Sequence, residues 1–492
     1  MAYQHMTKRK NLSKSRIMSA QQCPKLLYLD VHHRDLKEIS ASTQAAFDTG
    51  HLVGDIAQEI YGGGQGTFIE YGPGLRQAII DTQALMENGP VAPIYEATYE
   101  YEGVLVRADV QLPAGDGWRI IEVKSSTKLK DEHIKDSAIQ AWVFKNLGYK
   151  LEGIALAHID NQFLYQGDGD YSGLLVENDI AAEVEALLPQ VPEWIRTAQQ
   201  AISGEMPEVP VGGHCSKPYP CSFLKQCWPS DVDYPVTGLG GGKKSLAELV
   251  SEGYRDIRDV PAERISGARQ RIHRVTLSGE PELLPGAREF VESLGYPRYY
   301  LDFETIGPAV PIWPGTRPYE TLAIQWSCHI EEGPGQMRHE EFLDLSGEPP
   351  MRALAEAMIG ALGAEGPILM YTSYERGVIL GLAERFPDLA TQLEALVERL
   401  EDLHPPTKNY FYHPKMLGSW SIKAVMPNIE GGLDYKDLEG IKEGMGASNG
   451  YLEAIHPDTS PERKAELDEQ LRKYCWVDTE AMVRLVRYLD SA

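Results

Sequence analysis

The chain has 492 residues, of which 42% are hydrophobic and 24% are charged, a composition typical of a globular protein of roughly three domains. Its formal net charge of −25 argues against a protein that coats nucleic acid non-specifically, although one local basic groove is compatible with that charge. No apolar run is long enough to span a bilayer and the N-terminus has no signal-peptide pattern, so we expect a cytoplasmic protein with no membrane partner.

The clearest basic cluster lies near the N-terminus. Two interpretations stay open for it, a solvated tail and a contact with nucleic-acid phosphates. Its members are Lys8, Arg9, Lys10, Lys14, Arg16 and Lys25.

A β-hairpin is predicted further along the chain. Residues 104–110 and 119–124 are rich in β-branched residues, and the intervening "AGDG" has the composition of a tight turn. A hairpin centred on that turn pairs Asp109 with Glu122, with Cβ atoms roughly 5 Å apart. Because side chains alternate along a strand, Lys124 lies on the same face as Glu122.

The pairing of Asp109 with Glu122 has a chemical consequence. Two facing carboxylates repel and destabilise a sheet unless a positive charge lies between them. The hairpin therefore predicts a divalent metal site with Lys124 beside it. The alternative is a solvated strand edge, and a register shift of one residue would separate the two acids.

Three of the six cysteines are clustered in "CSKPYPCSFLKQC", as Cys215, Cys221 and Cys227. In a cytoplasmic chain such a cluster binds metal more often than it forms disulfides. The spacing is wider than the short pairs usual for zinc, and Cys23 is the natural fourth thiolate, so a [4Fe–4S] cluster is the first expectation. A Cys3His zinc site that includes His214 is the alternative.

Residues 10–232 resemble the RecB-type PD-(D/E)xK nucleases through Asp109, Glu122-x-Lys124 and Gln140 in "QAWVF". The one early cysteine and three late ones resemble their iron–sulfur branch, which includes the CRISPR-associated exonucleases and the AddB-type nuclease domain. The resemblance implies that the Asp and Glu bind Mg2+ or Mn2+ and that the Lys positions or activates the attacking water. It also implies that Gln140 contributes from the following helix.

One motif of that family is incomplete here. The family has a helical Gly-x-x-x-His whose histidine is a metal ligand. In "GHLVGDIA" Gly50 is present, but Gly54 stands where the histidine is expected. His51 comes too early in the helix, which leaves Asp55 or Glu59 as candidate replacements.

A glycine-rich break, "VTGLGGGKK" at residues 236–244, marks a domain boundary. Two short helical patterns follow, one on each side of Gly253. They resemble a helix-hairpin-helix, a module that binds the DNA backbone. A plain helical linker is the alternative.

Acidic residues recur at the ends of predicted elements in the C-terminal half. Residues 299–303 predict a strand, and Asp302 and Glu304 project from the same face at its end, where two acids can bridge a pair of metal ions. Residues 368–371 predict a buried strand, and Glu375 opens the next helix. The helix dipole also favours an acid in a first turn, so Glu375 has a structural interpretation as well.

The last predicted helix carries an acid in its apolar stripe, which consists of Leu467, Leu471, Tyr474, Asp478, Ala481 and Leu485. An unpaired carboxylate on a core-facing stripe is costly, so Asp478 needs a partner such as a cation. Tyr474 lies one turn before it on the same face. Two isolated cysteines, in apolar or aromatic surroundings, are expected to be core thiols: Cys328 and Cys475.

Residues 290–490 resemble the DnaQ-like exonucleases of the RNase H-fold superfamily. Three motifs carry the resemblance, in order: Asp302-Phe-Glu304-Thr, Tyr374-Glu375 and Tyr474-x3-Asp478. The tyrosine places the chain nearest the DEDDy branch, and Glu375 replaces the usual Asp. The resemblance implies a two-metal site with 3′ to 5′ exonuclease activity, in which Tyr474 orients the attacking water.

Two further features lie between the second and third motifs. Asp402 in "RLEDLHP" is a candidate accessory acid. Aromatic residues interleaved with basic ones suit base stacking and phosphate contact, or equally a mixed core and loop; the basic ones are Lys408, His413, Lys415 and Lys423.

Together these patterns predict an α/β multidomain protein. We expect a restriction-endonuclease-like domain at residues 1–235, a helical linker at 236–288 and an RNase H-like exonuclease domain at 289–492, an arrangement similar to a little-characterised bacterial family. The expected function is a metal-dependent nuclease acting on single-stranded DNA ends in repair or phage defence, with a helicase or defence complex as candidate partner. The alternative is a nucleic-acid-binding scaffold with one live site or none and with zinc at the cysteines.

Overall fold

The computed structural model describes residues 12–72, 74–438 and 440–492. The chain forms two compact units, each made of two stretches. Unit 1 comprises the described residues up to Cys227 together with Pro308–Tyr319, and unit 2 comprises Trp228–Gly307 together with Glu320–Ala492. Both mix helices and strands, which confirms the predicted α/β class. Within the described ranges, no helix has the length and apolar character needed to cross a membrane.

The elements of unit 1 follow one another as a small α/β domain. In chain order they are β1 (Leu12–Ser13), α1 (Lys14–Gln22), α2 (Pro24–His32), α3 (Ala41–Gly62), β2 (Thr67–Phe68), α4 (Leu75–Met86), β3 (Ile94–Tyr101), β4 (Val104–Ala114), β5 (Gly117–Lys124), α5 (Asp131–Asn146), β6 (Leu151–Ile159), β7 (Leu175–Asp179), α6 (Ala181–Leu187), α7 (Val191–Ser203) and α8 (Leu224–Cys227).

A seven-stranded mixed sheet forms the centre of unit 1. Its order is β2-β3-β4-β5-β6-β7, and β1 pairs in parallel with the start of β4. β4 is antiparallel to both β3 and β5, whereas β5 and β6 are parallel. Parallel neighbours need a crossover connection, and α5 supplies it. The apolar residues of α5 lie in the main core of the unit, among them Ala138, Ala141 and Phe144.

β4 and β5 form the predicted hairpin in the predicted register. Ala114 pairs with Gly117, and Val110 pairs with Ile121. Gly115 has a φ of 57°, in the left-handed region that a two-residue hairpin turn requires. The next step along the two strands reaches Asp109 and Glu122, so the register that favours a metal site is the observed one.

Unit 2 begins with short helices and continues into a second α/β domain. Its elements are α9 (Lys243–Ser251), α10 (Arg269–Ser278), β8 (Glu282–Leu283), α11 (Gly286–Ser293), β9 (Arg298–Ile306), β10 (Leu322–Gly333), β11 (Gln336–Leu343), α12 (Met351–Leu362), β12 (Ile368–Met370), α13 (Tyr374–Arg385), α14 (Ala390–Val397), β13 (Leu400–Asp402), α15 (His404–Tyr410), β14 (Phe411–Tyr412), α16 (Ile422–Val425), α17 (Gly444–Ile455) and α18 (Pro461–Leu489).

The main sheet of unit 2 has five strands in the order β11-β10-β9-β12-β13. β9, β10 and β11 are antiparallel, whereas β12 is parallel to both β9 and β13. β9 is therefore the central strand, and it carries Asp302 and Glu304. The predicted stripe of α18 is buried against the sheet, where Gln325 Nε2 donates to the Leu471 carbonyl at 3.1 Å.

Two segments have structural partners that the sequence patterns do not reveal. Residues 236–288, which contain α9 and α10 as predicted, belong to unit 2, and β8 pairs with β14 there. Residues 308–319 belong to unit 1 although they follow β9 in the chain. Tyr319 donates to the Ser125 carbonyl, and Tyr171 Oη donates to the Pro311 carbonyl at 3.1 Å.

Phe144 provides a test of the core of unit 1. It is fully buried and meets Tyr99 edge-on, with ring centroids 5.4 Å apart. We expect Phe144→Ala to lower the free energy of unfolding by about 3–5 kcal/mol, because burial is lost and a cavity remains. Urea denaturation followed by circular dichroism measures the loss. Phe47→Ala, at a residue 54% exposed on α3, is the matched control, and equal losses in both variants would contradict the described packing.

Candidate active sites and cysteine site

The β4–β5 hairpin brings together three residues predicted for the N-terminal site. Asp109 Oδ2 accepts a hydrogen bond from the Val123 amide at 2.7 Å, and Lys124 Nζ donates to Glu122 Oε1 at 2.7 Å. Glu122 is 1% exposed, and its Oε2 has no hydrogen-bond partner among the described residues. The hairpin thus presents two acids and a lysine as one cluster, with a carboxylate oxygen available to a ligand.

Helix α5 adds Gln140, which the sequence predicts, and Asp136, which it does not. Lys124 Nζ lies 3.1 Å from Asp136 Oδ2. Gln140 is fully buried, and its Nε2 has no hydrogen-bond partner in the described part of the chain. Asp136 lies four residues before Gln140, so the two share a helix face. That spacing, on the helix after the Glu-x-Lys strand, is the signal that identifies Asp136.

Lys14, the first residue of α1, also belongs to this cluster. Its Nζ donates to Glu122 Oε1 at 2.7 Å and to Gln140 Oε1 at 3.1 Å. The Lys14 side chain is 16% exposed, so the solvated-tail interpretation is wrong for this residue. Three other members of the predicted basic cluster lie outside the described residues: Lys8, Arg9 and Lys10.

Glu96 is a further acid that sequence reasoning missed. It lies in β3 with a φ of 56°, and its Oε2 is 3.1 Å from Arg107 Nε. Burial raises the pKa of Glu96, Arg107 lowers it, and the charge of Glu122 raises it further. Asp55 and Glu59, the candidates for the missing histidine, are exposed on α3. Glu96 is the better candidate, and its left-handed backbone, which is uncommon for glutamate, has no sequence signal.

Burial and lysine contacts have opposite effects on the pKa values of the acids in this cluster. Burial raises the pKa of Glu122 to about 7, the charge of Asp109 adds to the rise, and Lys124 and Lys14 offset part of it. Burial likewise raises the pKa of Asp109. Burial alone would raise the pKa of Asp136, but Lys14 and Lys124 outweigh it and hold that pKa below its ordinary value. Asp109 and Glu122, whose ionised forms are disfavoured by burial, are therefore suited to bind a divalent cation.

The acids predicted for the C-terminal site meet at a cavity of about 410 Å³. Asp302 and Glu304 from β9 line it together with Tyr474 and Asp478 from α18. Glu375, 3% exposed at the start of α13, lies close enough to Asp302 that each side chain affects the pKa of the other. Three separate elements therefore bring the predicted acids to one place.

A thiol lies beside the first two acids. Asp302, Glu304 and Cys475 offer ligand atoms that all lie within 4.8 Å of one another. Cys475 and Cys328 are both fully buried, as predicted. The sequence correctly predicts a core thiol at Cys475 but does not reveal that it adjoins the acids.

The C-terminal acids resist ionisation more strongly than those of the N-terminal site. Burial raises the pKa of Asp302, and the charges of Asp478, Glu304 and Glu375 add to the rise. Burial and Asp478 raise the pKa of Glu304. Burial raises the pKa of Glu375 to about 8 and that of Asp478 to about 6. Glu375 Oε2 is buried with no hydrogen-bond partner among the described residues, so the group fits a divalent cation.

Two residues at this site were not assigned to it from the sequence. Tyr435 Oη donates to Asp478 Oδ1 at 2.6 Å. Lys423 Nζ donates to Tyr474 Oη at 2.9 Å and to the Lys442 carbonyl at 3.0 Å. Burial raises the pKa of Tyr474, and the charges of Asp478 and Glu304 add to the rise, so its hydroxyl stays protonated.

The remaining residues predicted near this site have mainly structural contacts. Asp402 accepts hydrogen bonds from the Thr372 amide at 2.9 Å and the His404 amide at 2.8 Å. Its charge contributes to the raised pKa of Glu375, after the effect of burial. The aromatic and basic segment divides: Lys423 contacts Tyr474 beside the acids, whereas Lys408 lies over the Trp420 ring at 5.7 Å. His413 Nδ1 accepts from the Lys415 amide at 3.2 Å.

The four cysteines predicted to share a ligand converge on one small cavity in unit 1. It is lined by Cys23, Cys215, Cys221 and Cys227, and His214 lies at the same place. Gln22 Nε2 donates to the carbonyls of His214 and Tyr219, both at 2.8 Å, and so ties the start of the unit to its late loop. All four thiols are free of disulfides.

The spacing of these thiols bears on the choice of metal. Four thiolates around one zinc ion lie about 3.8 Å apart, since each Zn–S bond is about 2.3 Å. Among the described residues, no three ligand atoms from these cysteines and His214 lie mutually within 4.8 Å. This spacing is wider than that of four thiolates bound to one zinc ion. Burial raises the pKa of Cys221 and Cys227, and the neighbouring thiols raise both further.

Comparison with known proteins identifies one family. Residues 299–421 match a family described as Domain of unknown function (DUF2779). No curated protein and no solved structure matches the chain. The matched segment contains Asp302, Glu304 and Glu375, and ends before Tyr474 and Asp478.

Glu375 predicts how the stability of the metal-free protein depends on pH. Its carboxyl keeps a proton to higher pH in the folded chain than in the unfolded chain. Stability contributed by this group is therefore fully present below pH 4.5, its ordinary value, and is lost as the pH rises to about 8. In EDTA, we expect the melting temperature to fall less steeply over this window in Glu375→Gln than in wild type.

Thermal melts at intervals across this pH window measure the two slopes. Glu384→Gln, on the exposed face of the same helix, is the matched control and should keep the wild-type slope. A Glu375→Gln slope equal to that of wild type would show that the pKa of Glu375 is not raised in the folded protein.

Proposed function

We propose that the chain is a metal-dependent nuclease with two catalytic sites, and that the C-terminal site is a 3′ to 5′ exonuclease. One observation carries the proposal: Asp302, Glu304, Glu375 and Asp478, from three elements, converge beside a cavity with Tyr474 at its wall. The strand order β11-β10-β9-β12-β13, with three antiparallel and two parallel strands, supports an RNase H-like arrangement of that unit.

The C-terminal acids would hold a pair of Mg2+ or Mn2+ ions, which supply an activated water and stabilise the leaving oxygen. Tyr474 keeps its proton and can orient that water by a hydrogen bond. Lys423 Nζ donates a hydrogen bond to Tyr474 Oη at 2.9 Å and so helps to fix the position of this hydroxyl. A cavity of about 410 Å³ has the size of a small-molecule site, which suits one terminal nucleotide.

The N-terminal site supports a second hydrolytic centre. Asp109 and Glu122 would hold Mg2+ or Mn2+, which activates water for attack on the phosphodiester. Lys124, bound to Glu122 and Asp136, is placed to stabilise the charge that develops on the phosphate. Gln140 would orient a ligand through its unpartnered Nε2. Single-stranded DNA ends are the proposed substrate, in repair or phage defence in the cytoplasm, with a helicase or defence complex as partner.

Cleavage of end-labelled single-stranded DNA and RNA tests the proposal. Anaerobically purified protein should shorten strands labelled at one or both ends in Mn2+ or Mg2+, and it should leave them intact in EDTA. We expect Asp302→Asn and Glu122→Gln each to remove one of the two activities. Each loss of rate should exceed the roughly 100-fold loss caused by removing an outer-shell metal partner.

Two exposed acids give matched controls for these variants. Asp458→Asn alters a side chain 92% exposed in unit 2, and Asp116→Asn alters one 80% exposed at the tip of the same hairpin as Glu122. Both should cleave as wild type does. Metal-dependent cleavage that survives both site variants would reject the assignment, and tight binding without turnover would support the scaffold interpretation.

The cysteine site yields a separate prediction. If the four thiols hold a [4Fe–4S] cluster, the anaerobic protein is brown and contains iron and acid-labile sulfide in equal amounts. Cys221→Ser should lower both, whereas Cys328→Ser, at a buried thiol of unit 2, should leave both unchanged. A colourless protein with zinc and no sulfide would reject the iron–sulfur cluster and favour a zinc site.

A further inference from the structure

Lys14 reaches the N-terminal acids because its backbone is anchored to the strand that carries one of them. β1 pairs in parallel with β4 at Val104 and Leu105, and the Leu12 amide donates to the Gly103 carbonyl at 2.9 Å. Leu12 is 1% exposed. Lys14 follows this anchored pair directly, so its side chain starts from a fixed position at the edge of the acid cluster.

Lys14 and Lys124 make the same two contacts. Each Nζ lies 2.7 Å from Glu122 Oε1 and 3.1 Å from Asp136 Oδ2. One carboxylate oxygen of Glu122 is therefore shared by two ammonium groups. Lys14 also donates to Gln140, on the helix that follows β5. Lys14 is thus directed to the acid predicted to bind metal.

We propose that Lys14 is a second lysine of the N-terminal site, which holds Glu122 in the metal-free protein and moves to a substrate phosphate when a divalent cation takes Glu122. The inference rests on the proposed function, because it assumes that Glu122 is a metal ligand. A divalent cation at Glu122 repels an ammonium within a few ångströms. Lys14 can move away because its side chain has a flexible stem that ends in a compact ammonium group. Asp136 lies 3.1 Å from both ammonium groups and keeps its contact with Lys124 once Lys14 has left.

Metal binding gives the first readout. In full-length protein carrying Asp302→Asn, Mn2+ alone is titrated and followed by electron paramagnetic resonance, and Glu122→Gln identifies the binding that belongs to this site. We expect Lys14→Met to tighten the Glu122-dependent binding by about tenfold, the factor for one lost competing charge contact. Lys37→Met removes a comparable ammonium, which lies 2.6 Å from Asp30 elsewhere in unit 1, and should leave Mn2+ affinity unchanged.

Binding of a labelled single-stranded oligonucleotide gives the second readout, in Ca2+ to limit turnover. Lys14→Met should bind more weakly than the parent, and its affinity should fall less steeply with salt, by about 0.7 in the logarithmic slope for one lost phosphate contact. Lys14→Arg, which keeps the charge, should restore most of both properties. Tighter metal binding combined with weaker oligonucleotide binding is a result that a merely structural lysine would not give.

The other outcomes overturn the inference in distinguishable ways. Unchanged Mn2+ affinity in Lys14→Met, with Glu122-dependent binding intact in the parent, rejects the role of Lys14 and leaves the proposed function standing. Weaker Mn2+ and oligonucleotide binding with a lower melting temperature assigns Lys14 a purely structural role. An absence of Glu122-dependent Mn2+ binding in the parent rejects the proposed N-terminal site, and the inference with it.

Discussion

Both candidate sites depend on one constraint, which is that carboxylates held together away from water repel one another. Two like charges about 4 Å apart repel by about 4 kcal/mol in surroundings of intermediate polarity, and burial adds a desolvation cost. Such a group persists only where rigid elements hold it. In unit 2 these are the central strand β9 and the helices α13 and α18; in unit 1 they are the β4–β5 hairpin and α5.

The two units offset this repulsion with different chemistry. In unit 1 the ammonium groups of Lys14 and Lys124 contact Glu122 and Asp136 directly, so much of the negative charge is paired. In unit 2 the described groups beside the acids include the hydroxyls of Tyr435 and Tyr474 and the ammonium of Lys423. Hydroxyls relieve charge less than ammonium groups do, and burial together with neighbouring acids raises the pKa of Asp302 and Glu304 well above the ordinary values. The C-terminal site therefore has the larger need for cations.

Those parts of both sites that follow from local periodicity could be predicted from the sequence. Alternation along a strand places Glu122 beside Lys124, the turn composition fixes the register of Asp109, and helical spacing places Asp478 next to Tyr474. The α/β class follows from the same patterns.

The residues that were missed come from parts of the chain whose position depends on tertiary contacts. Lys14 is positioned by the pairing of β1 with β4, and Glu96 by a left-handed backbone within β3. Tyr435 lies in an irregular segment that returns to α18. The membership of residues 308–319 in unit 1 is likewise set by long-range hydrogen bonds, as with Tyr319 and Ser125. None of these contacts has a repeating pattern from which to predict it.

The overall charge of the chain adds a last constraint on how a nucleic acid would bind. A protein with a net charge of −25 repels a polyanion at long range, so attraction has to arise within a Debye length of about 8 Å from each site. Among the described residues, positive groups there include Lys14, Lys124 and Arg107 in one site and Lys423 in the other, and each contacts an acid or Tyr474. In the proposed N-terminal site, a divalent cation at Glu122 would release Lys14 from a competing acid. Under the proposed function, metal binding and phosphate binding would therefore be coupled through Lys14, and substrate would bind where the reaction takes place.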